Sequence, residues 1–510
     1  VVVFAPHGGR RTRSRRAGDS VNDLHTAELA ADLAERLDAF ALINSQLDRN
    51  DVDLNRISHL VERAPEALAA LSDLIETAIA GHGRALLLSL HGWNVSAPCC
   101  DIGVGLVERA GRIEGKHPTV SPGLLASFVH PLTDRLAAAG LTATLGHRYP
   151  ASGRDNALQL FSGRHRDHDE RTVAALSRLG AEGRAAAVQL ELGIPLRWPG
   201  HRRRLLVDAL LEAVGGYLSR ALPAKIVDRP LAVAVPLGRA SRPGDAPPTV
   251  SGSSVQAALE DGSGIFFGAE RSDADSVTAR LCIARPDGRM LLFVGEGRGG
   301  KERGKYDVAG FRMRVVTAED LDSGQDVTLS YSGPLVRYAT HGAFVDLEAG
   351  LASAEVCEAR IELRFQAETG GHGRLSGTVV AGGRSFTVAG RAVSERGSRW
   401  ARRSRLRSKA HVMADGPASV SIVCGEETPP AAHLRFDERS EPTRIAWDDE
   451  CGQSLLRGTV TVDVPVYREL PDGSRAGIRF GVARVDGSGA EPVFALFERF
   501  EVIEAGGGEN

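Results

Sequence analysis

Over its first 222 residues the chain alternates short apolar runs with longer stretches in which apolar residues recur every three or four positions. The short runs fall at 1–5, 40–44, 86–90, 141–145 and 186–190. Continuous apolar segments of this length read as strands buried on both faces. The longer stretches predict helices at 26–38, 65–80, 122–139, 170–179 and 204–219. In the first of these, Leu29, Leu33 and Leu37 share one face. Strand and helix in alternation imply an α/β domain: a mostly parallel sheet with helices on both faces.

The texture then changes. Residues 238–250 carry three prolines with Gly, Ser and Arg and read as a linker, which we bound at 223–250. From 251 to 510 the pattern has a period of two, at 276–285, 290–294, 311–316, 327–331, 359–365, 377–380, 385–389, 419–423, 456–466 and 493–502. Turn sequences such as Arg285-Pro-Asp-Gly and Leu470-Pro-Asp-Gly separate these runs. This half is predicted to be all-β, a barrel or a sandwich, and its length suits two stacked barrels or sheets.

With 510 residues, two or three domains are expected. A net charge of −3 gives no electrostatic reason for a nucleic-acid partner. No apolar run approaches the ~20 residues that span a bilayer, so no membrane partner is expected. The six cysteines form no CxxC pair and read as reduced thiols of a cytoplasmic protein.

The candidate chemistry sits where apolar strands stop. Strand 1–5 ends in His7-Gly8-Gly9, strand 86–90 in His91-Gly92, and strand 186–190 in Glu191. Ligands of open α/β sheets bind outside the carboxyl ends of the strands, so these three side chains can converge. A catalytic zinc takes three protein ligands and leaves one position open. His7 and His91 supply two; Asp23 or His25, just before the first helix, supplies the third. One Zn2+ per chain is therefore expected. Glu191 ends a buried strand, either as a general base or in a salt bridge to Arg197 or another arginine. Arg56 and Arg154 are candidate forks for a substrate carboxylate. The loop after His7 holds five arginines between Arg10 and Arg16, which suits a small anionic substrate. Two other patterns read as ordinary loops: Gly295-Glu-Gly-Arg-Gly-Gly300-Lys301 lacks the Ser or Thr of a phosphate loop, and His165-Arg-Asp-His168 lies in a polar stretch.

Residues 1–222 resemble the N-formylglutamate amidohydrolase family, whose fold is akin to zinc carboxypeptidases. The matching segments are Pro6-His7-Gly8-Gly9, Asp23-Leu-His25, Asp53-Leu-Asn55-Arg56, Leu90-His91-Gly92, Tyr149-Pro-Ala-Ser-Gly153 and Gln189-Leu-Glu191-Leu. The resemblance implies hydrolysis of an amide bond on an acidic amino acid or γ-linked glutamate by metal-activated water. It places His7, Asp23 and His91 at the metal, Asn55 and Arg56 at the substrate, and Glu191 as the catalytic carboxylate. With Asp23 as the ligand, the residues leave His25 as its hydrogen-bond partner or a substrate contact. The chain departs from the family at Gly92, where Ser is usual, and at Leu192–Arg197, where Asn-Arg would follow the glutamate. The second half resembles the lipocalin-like carotenoid hydratase/AttH group through Gly264-Ile-Phe-Phe-Gly268, the run from Gly390 to Gly397, and Arg399-Trp400.

The leading expectation is a zinc amidohydrolase. The alternatives are an isomerase, cyclase or hydratase of a hydrophobic natural product acting through the β half, and a metal-free binding module.

Overall fold

Alternate residues of the first strand face two different cores. Val3 and Ala5 of β1 (Val2–Ala5) pack with Leu29 and Leu33 of α1 (Thr26–Leu37), while Val2 and Phe4 pack with Leu68, Leu71 and Ile75 from farther along the chain. That division is why the strand is apolar at every position. The computed structural model describes residues 1–9, 20–109, 112–220, 251–271, 276–298, 304–317, 325–344, 347–369, 371–396, 406–413, 420–425, 433–437, 444–448, 454–469, 475–485 and 494–503. The arginine loop 10–16, the proposed linker 223–250 and Arg399-Trp400 lie outside them.

The chain divides into two compact units. The first continues with β2 (Phe40–Ile43), α2 (Ile57–Glu62), α3 (Pro65–His82), β3 (Ala85–Gly92), β4 (Cys99–Gly103) and a short hairpin of β5 (Val107–Arg109) and β6 (Arg112–Glu114). Next come α4 (Pro122–Leu124), α5 (His130–Ala138), β7 (Thr142–Leu145), α6 (Arg171–Ala181), β8 (Ala185–Leu192), α7 (Ile194–Arg197) and α8 (His201–Arg220). Its six-stranded sheet runs β2-β1-β3-β8-β4-β7. All pairings are parallel except β4 with β8. Helices cover both faces, one core formed with α1, α5 and α8 and the other with α3 and α6.

The structure departs from the pattern in several places, the hairpin β5–β6 and α7 among them. The helix expected over 122–139 contains a π turn at Leu125–Val129. Pro131, with no N–H to donate, interrupts the regular ladder there. The short α2 and the antiparallel β4 were not legible, because neither carries a clear period.

Leu29 is fully buried in the core over β1. Leu29→Ala should cost about 2–5 kcal/mol of stability through lost burial and the cavity left behind, read as a lower denaturant midpoint.

The second unit begins with β9 (Ser251–Leu259), β10 (Gly264–Arg271), β11 (Ser276–Ala284), β12 (Met290–Arg298), β13 (Lys305–Val308) and β14 (Phe311–Thr317). It goes on through β15 (Gln325–Tyr338), β16 (Glu355–Thr369), β17 (His372–Ala381) and β18 (Arg384–Arg396). The sheet order is β12-β11-β10-β9-β18-β17-β16-β15-β14-β13, and β12 also pairs with β15. Eight antiparallel strands thus close in chain order into an up-and-down, lipocalin-like barrel, with β13–β14 as an added hairpin. Strand β16 shows the period of two: Ile361, Leu363 and Phe365 are buried, Arg360, Glu362 and Arg364 exposed. Phe293 stacks on Phe311 with centroids 5.7 Å apart. Gly295 and Gly297 lie within β12, and Val308 Cγ1 comes within 3.1 Å and 3.3 Å of where their Cβ atoms would fall. These glycines therefore make room for packing within the barrel wall.

A seven-stranded antiparallel sheet follows, made of β19 (Leu406–Met413), β20 (Val420–Gly425), β21 (His433–Asp437), β22 (Arg444–Asp448), β23 (Ser454–Glu469), β24 (Arg475–Val485) and β25 (Phe494–Ile503). Its order is β20-β19-β25-β24-β23-β22-β21. Phe480 of this sheet meets Phe266 of the barrel edge to face at 4.3 Å.

Candidate metal centre

On one face of β3 and β8 the apolar pattern stops two residues before the strand ends. Ser89 lies beside Gln189 and His91 beside Glu191 in the parallel register, while Leu88, Leu90, Val188 and Leu190 keep the opposite face apolar. His7 extends β1 next to them, and its carbonyl accepts a 2.8 Å hydrogen bond from the Asp23 N–H. That bond ties the loop before α1 to the strand end. A Cβ on Gly8 would sit 2.7 Å from Ala27 Cβ and 2.8 Å from the Asn44 carbonyl, so only glycine lets the chain pass this close.

The result is a buried cluster. His7 Nδ1 lies 3.0 Å and His91 Nδ1 3.6 Å from the same oxygen, Asp23 Oδ2. One ligand atom from each of His7, Asp23 and His91 falls within 4.8 Å of the others. A tetrahedral zinc with bonds of ~2.1 Å spaces its ligand atoms by about 3.4 Å, so the donor set has the size such an ion needs.

The far nitrogens are already engaged. His7 Nε2 is 2.7 Å from Asp53 Oδ1, and His91 Nε2 is 3.0 Å from the Ser89 hydroxyl. The Asp53 carboxylate only accepts, so it favours the proton on His7 Nε2 and leaves Nδ1 to ligate, and the Ser89 hydroxyl holds the His91 ring in place. Arg49 donates to Asp23 Oδ1 at 3.2 Å, holding the carboxylate from the other side. Asp53→Asn should therefore weaken zinc binding by about 10- to 100-fold in a competition titration while leaving the fold intact.

Burial lowers His91 to about 4, and the charges on His7 and Arg49 add to this against Asp23. Its imidazole is thus neutral near pH 7, the form a metal needs. At His7, burial and Arg49 pull downward, but Asp23 and Asp53 together prevail and raise it. Burial opposes the Asp23 charge, yet the two histidines and Arg49 hold its carboxyl well below the usual range.

Glu191 Oε1 lies 4.0 Å from His91 Nδ1 and accepts a 2.8 Å hydrogen bond from Gln189 Nε2. Burial, reinforced by the Asp23 charge, pushes its carboxyl up to about 8 in the metal-free chain. No arginine among the described residues pairs with it; Arg197 bonds to carbonyls and Asn94 instead.

These groups open onto a cavity of ≈ 370 Å³ whose far wall is the loop Arg148–Gly153. Asp101, fully buried, sets that wall by accepting from Thr144 Oγ1 and from the backbone N–H groups of His147, Arg148 and Tyr149 at 2.7–2.9 Å. Ala151 in the wall has φ 56°, a strained position for a residue with a Cβ. Asn55 lines the cavity, and its Oδ1 is buried without a hydrogen-bond partner among the described residues.

His7, Asp23, His91, Asn55 and Glu191 therefore line one space. The other three candidates do not line it. Arg56 Nε points to Asp53 Oδ2 at 3.4 Å from a side chain 59% exposed. The Arg154 carbonyl accepts from His165 Nε2, which makes the 165–168 segment part of the packing. His25, at φ 66°, turns its ring edge onto Trp198. The arginines at the cavity are Arg49 and Arg148. Sequence reading gave no role to Asp53, Ser89, Gln189, Arg49 or Asp101. The single signal was Ser89 and Gln189, polar residues inside apolar strands, two positions before His91 and Glu191.

No protein-family model and no curated protein matches the chain. Among solved structures, it is similar to N-formylglutamate amidohydrolase from Ralstonia eutropha JMP134 at 17% identity and a TM-score of 0.29, over 42% of this chain and 93% of that one. It is also similar to CghA with Sch210972, at 12% identity and a TM-score of 0.26 over 50% of this chain and 89% of that one. Kievitone hydratase from Nectria haematococca shares 10% identity at a TM-score of 0.25, again over 50% and 89%.

Proposed function

We propose that the α/β unit is a zinc-dependent hydrolase cleaving an amide C–N bond in an N-acyl or γ-linked acidic amino acid derivative. One observation carries the reading: two imidazole nitrogens and a carboxylate oxygen gathered at the carboxyl ends of adjacent strands, with a second buried carboxyl beside them on the same cavity. His7, Asp23 and His91 would hold a single ion, which would supply Lewis-acid chemistry toward a water and a carbonyl.

The chain's own groups supply the rest. Glu191, held by Gln189, takes a proton from the attacking water and returns it to the leaving amine at its Oε atoms. Asn55 Oδ1, a buried acceptor with an open valence, receives the substrate N–H. Arg148 gives the cavity a positive charge for the substrate's carboxylate. The wall braced by Asp101 keeps these contacts fixed and limits access of bulk water. The partner is thus a small anionic molecule. Among the described residues Cys100, Cys282 and Cys357 are in no disulfide, in keeping with a reducing, cytoplasmic setting. No helix among the described residues is long and apolar enough to cross a membrane.

The test is amine release from N-formyl, N-acetyl and γ-glutamyl acidic amino acids by the zinc-reconstituted full chain. Turnover of one class, lost on chelation and restored by zinc, supports the assignment. A zinc-loaded protein inert to all three classes overturns it.

A further inference from the structure

We propose that Arg197 is a positioning residue of this metal centre: a buried guanidinium that clamps the loop carrying Asp23 to the segment carrying His91. The proposal rests on the metal site of the preceding reading and assigns the part that sets its shape.

Arg197 ends α7, six residues beyond Glu191, and is fully buried. Nη1 donates to the Leu24 carbonyl at 3.0 Å. Nη2 donates to Asn94 Oδ1 at 2.9 Å and to the Trp93 carbonyl at 3.3 Å. Leu24 follows Asp23 directly, and Trp93 and Asn94 follow His91-Gly92. One planar group therefore reaches both ligand-bearing segments, which are far apart in sequence and share no element.

Gly92 makes this possible. A Cβ there would fall on Arg197 Nη1 and 2.9 Å from Asp23 Cβ. The glycine at 92 and the arginine at 197 are thus one device, since the guanidinium fills the volume a side chain at 92 would need.

The arrangement is costly as mere filling. No carboxylate among the described residues forms an ion pair with Arg197, and its Nε has no hydrogen-bond partner there. An apolar side chain of similar length would fill the space without desolvating a charge. What it would lack is a fork that holds two segments at once. Lysine keeps the charge but has no planar fork, so it cannot hold both segments in the same geometry.

The experiment uses Arg197→Met and Arg197→Lys in the full chain, with two readouts. Hydrogen exchange of the metal-free proteins reports on residues 22–25 and 91–94. Competition titration with zinc reports on the ligand set. Arg197→Met should speed exchange in both segments and weaken zinc binding by about 10- to 100-fold. Arg197→Lys should fall between Met and wild type in both readouts, and it carries the test if the Met variant does not fold. A folded variant with wild-type exchange and wild-type zinc affinity overturns the clamp and leaves the hydrolase reading standing. A wild-type protein that takes up no zinc overturns both.

Discussion

Glu191→Gln lowers kcat by about 10²- to 10⁴-fold, the range for loss of a positioned acid–base group, while zinc content stays at the wild-type value. The reasoning starts from β8. Glu191 is the last polar residue on a face that is apolar earlier in the strand, and its neighbour in register is His91. It is 4.0 Å from His91 Nδ1, too far to bond but beside the proposed metal position. Gln189 orients it, and glutamine at 191 keeps the shape and can still meet an amide neighbour. What glutamine cannot do is carry a proton. The change also removes a carboxyl whose charge is opposed by burial, so the variant should be no less stable than wild type near neutral pH. Steady-state kinetics with a zinc assay on the same sample checks both halves of this result. A variant that loses its zinc along with its activity would mean that Glu191 serves the metal rather than the proton.

His91→Ala empties the centre. The imidazole is one of the three groups proposed to hold the ion and is 2% exposed. Removal leaves His7 and Asp23 with the Ser89 hydroxyl unpaired behind them, too few donors for a catalytic ion. Zinc content should fall to background and hydrolysis with it. A second readout is thermal. Zinc held at the proposed centre would stabilise the folded wild type by mass action, so its Tm should rise with added zinc, whereas the Tm of His91→Ala should not move. Calorimetry with and without zinc distinguishes loss of the ion from general unfolding.

Three parts of the site that sequence reading found, His7, His91 and Glu191, end a strand, while Asp23 and Asn55 were found in loops ahead of helices. Val1–Ala5, Leu86–Leu90 and Ala186–Leu190 are apolar because both faces are covered, and that continuity makes the polar residue at each end conspicuous. A period of three to four gave the longer helices of the α/β unit and a period of two gave most strands of the β half, whereas α2, α7, β9, β10 and β13 had no such signal. The second layer was hidden for a physical reason. Asp53 bonds His7 from 46 residues away, Arg49 reaches Asp23 from 26, and Arg197 reaches Leu24 from 173. Such contacts follow from the folded path of the chain, and none of these side chains disturbs a local period. Arg56 drew notice as a charge beside Asn55, yet its position just before α2 turns it toward Asp53 and solvent. Arg148 gave no signal because its place depends on Asp101, a residue of β4, which runs antiparallel to its neighbour β8.

Metal analysis of the purified full chain, stripped with chelator and reconstituted with zinc, bears most directly on the whole account. Close to one zinc per chain, absent from the His91→Ala protein treated in parallel, is the predicted outcome. A wild-type chain that retains no zinc under these conditions would contradict it.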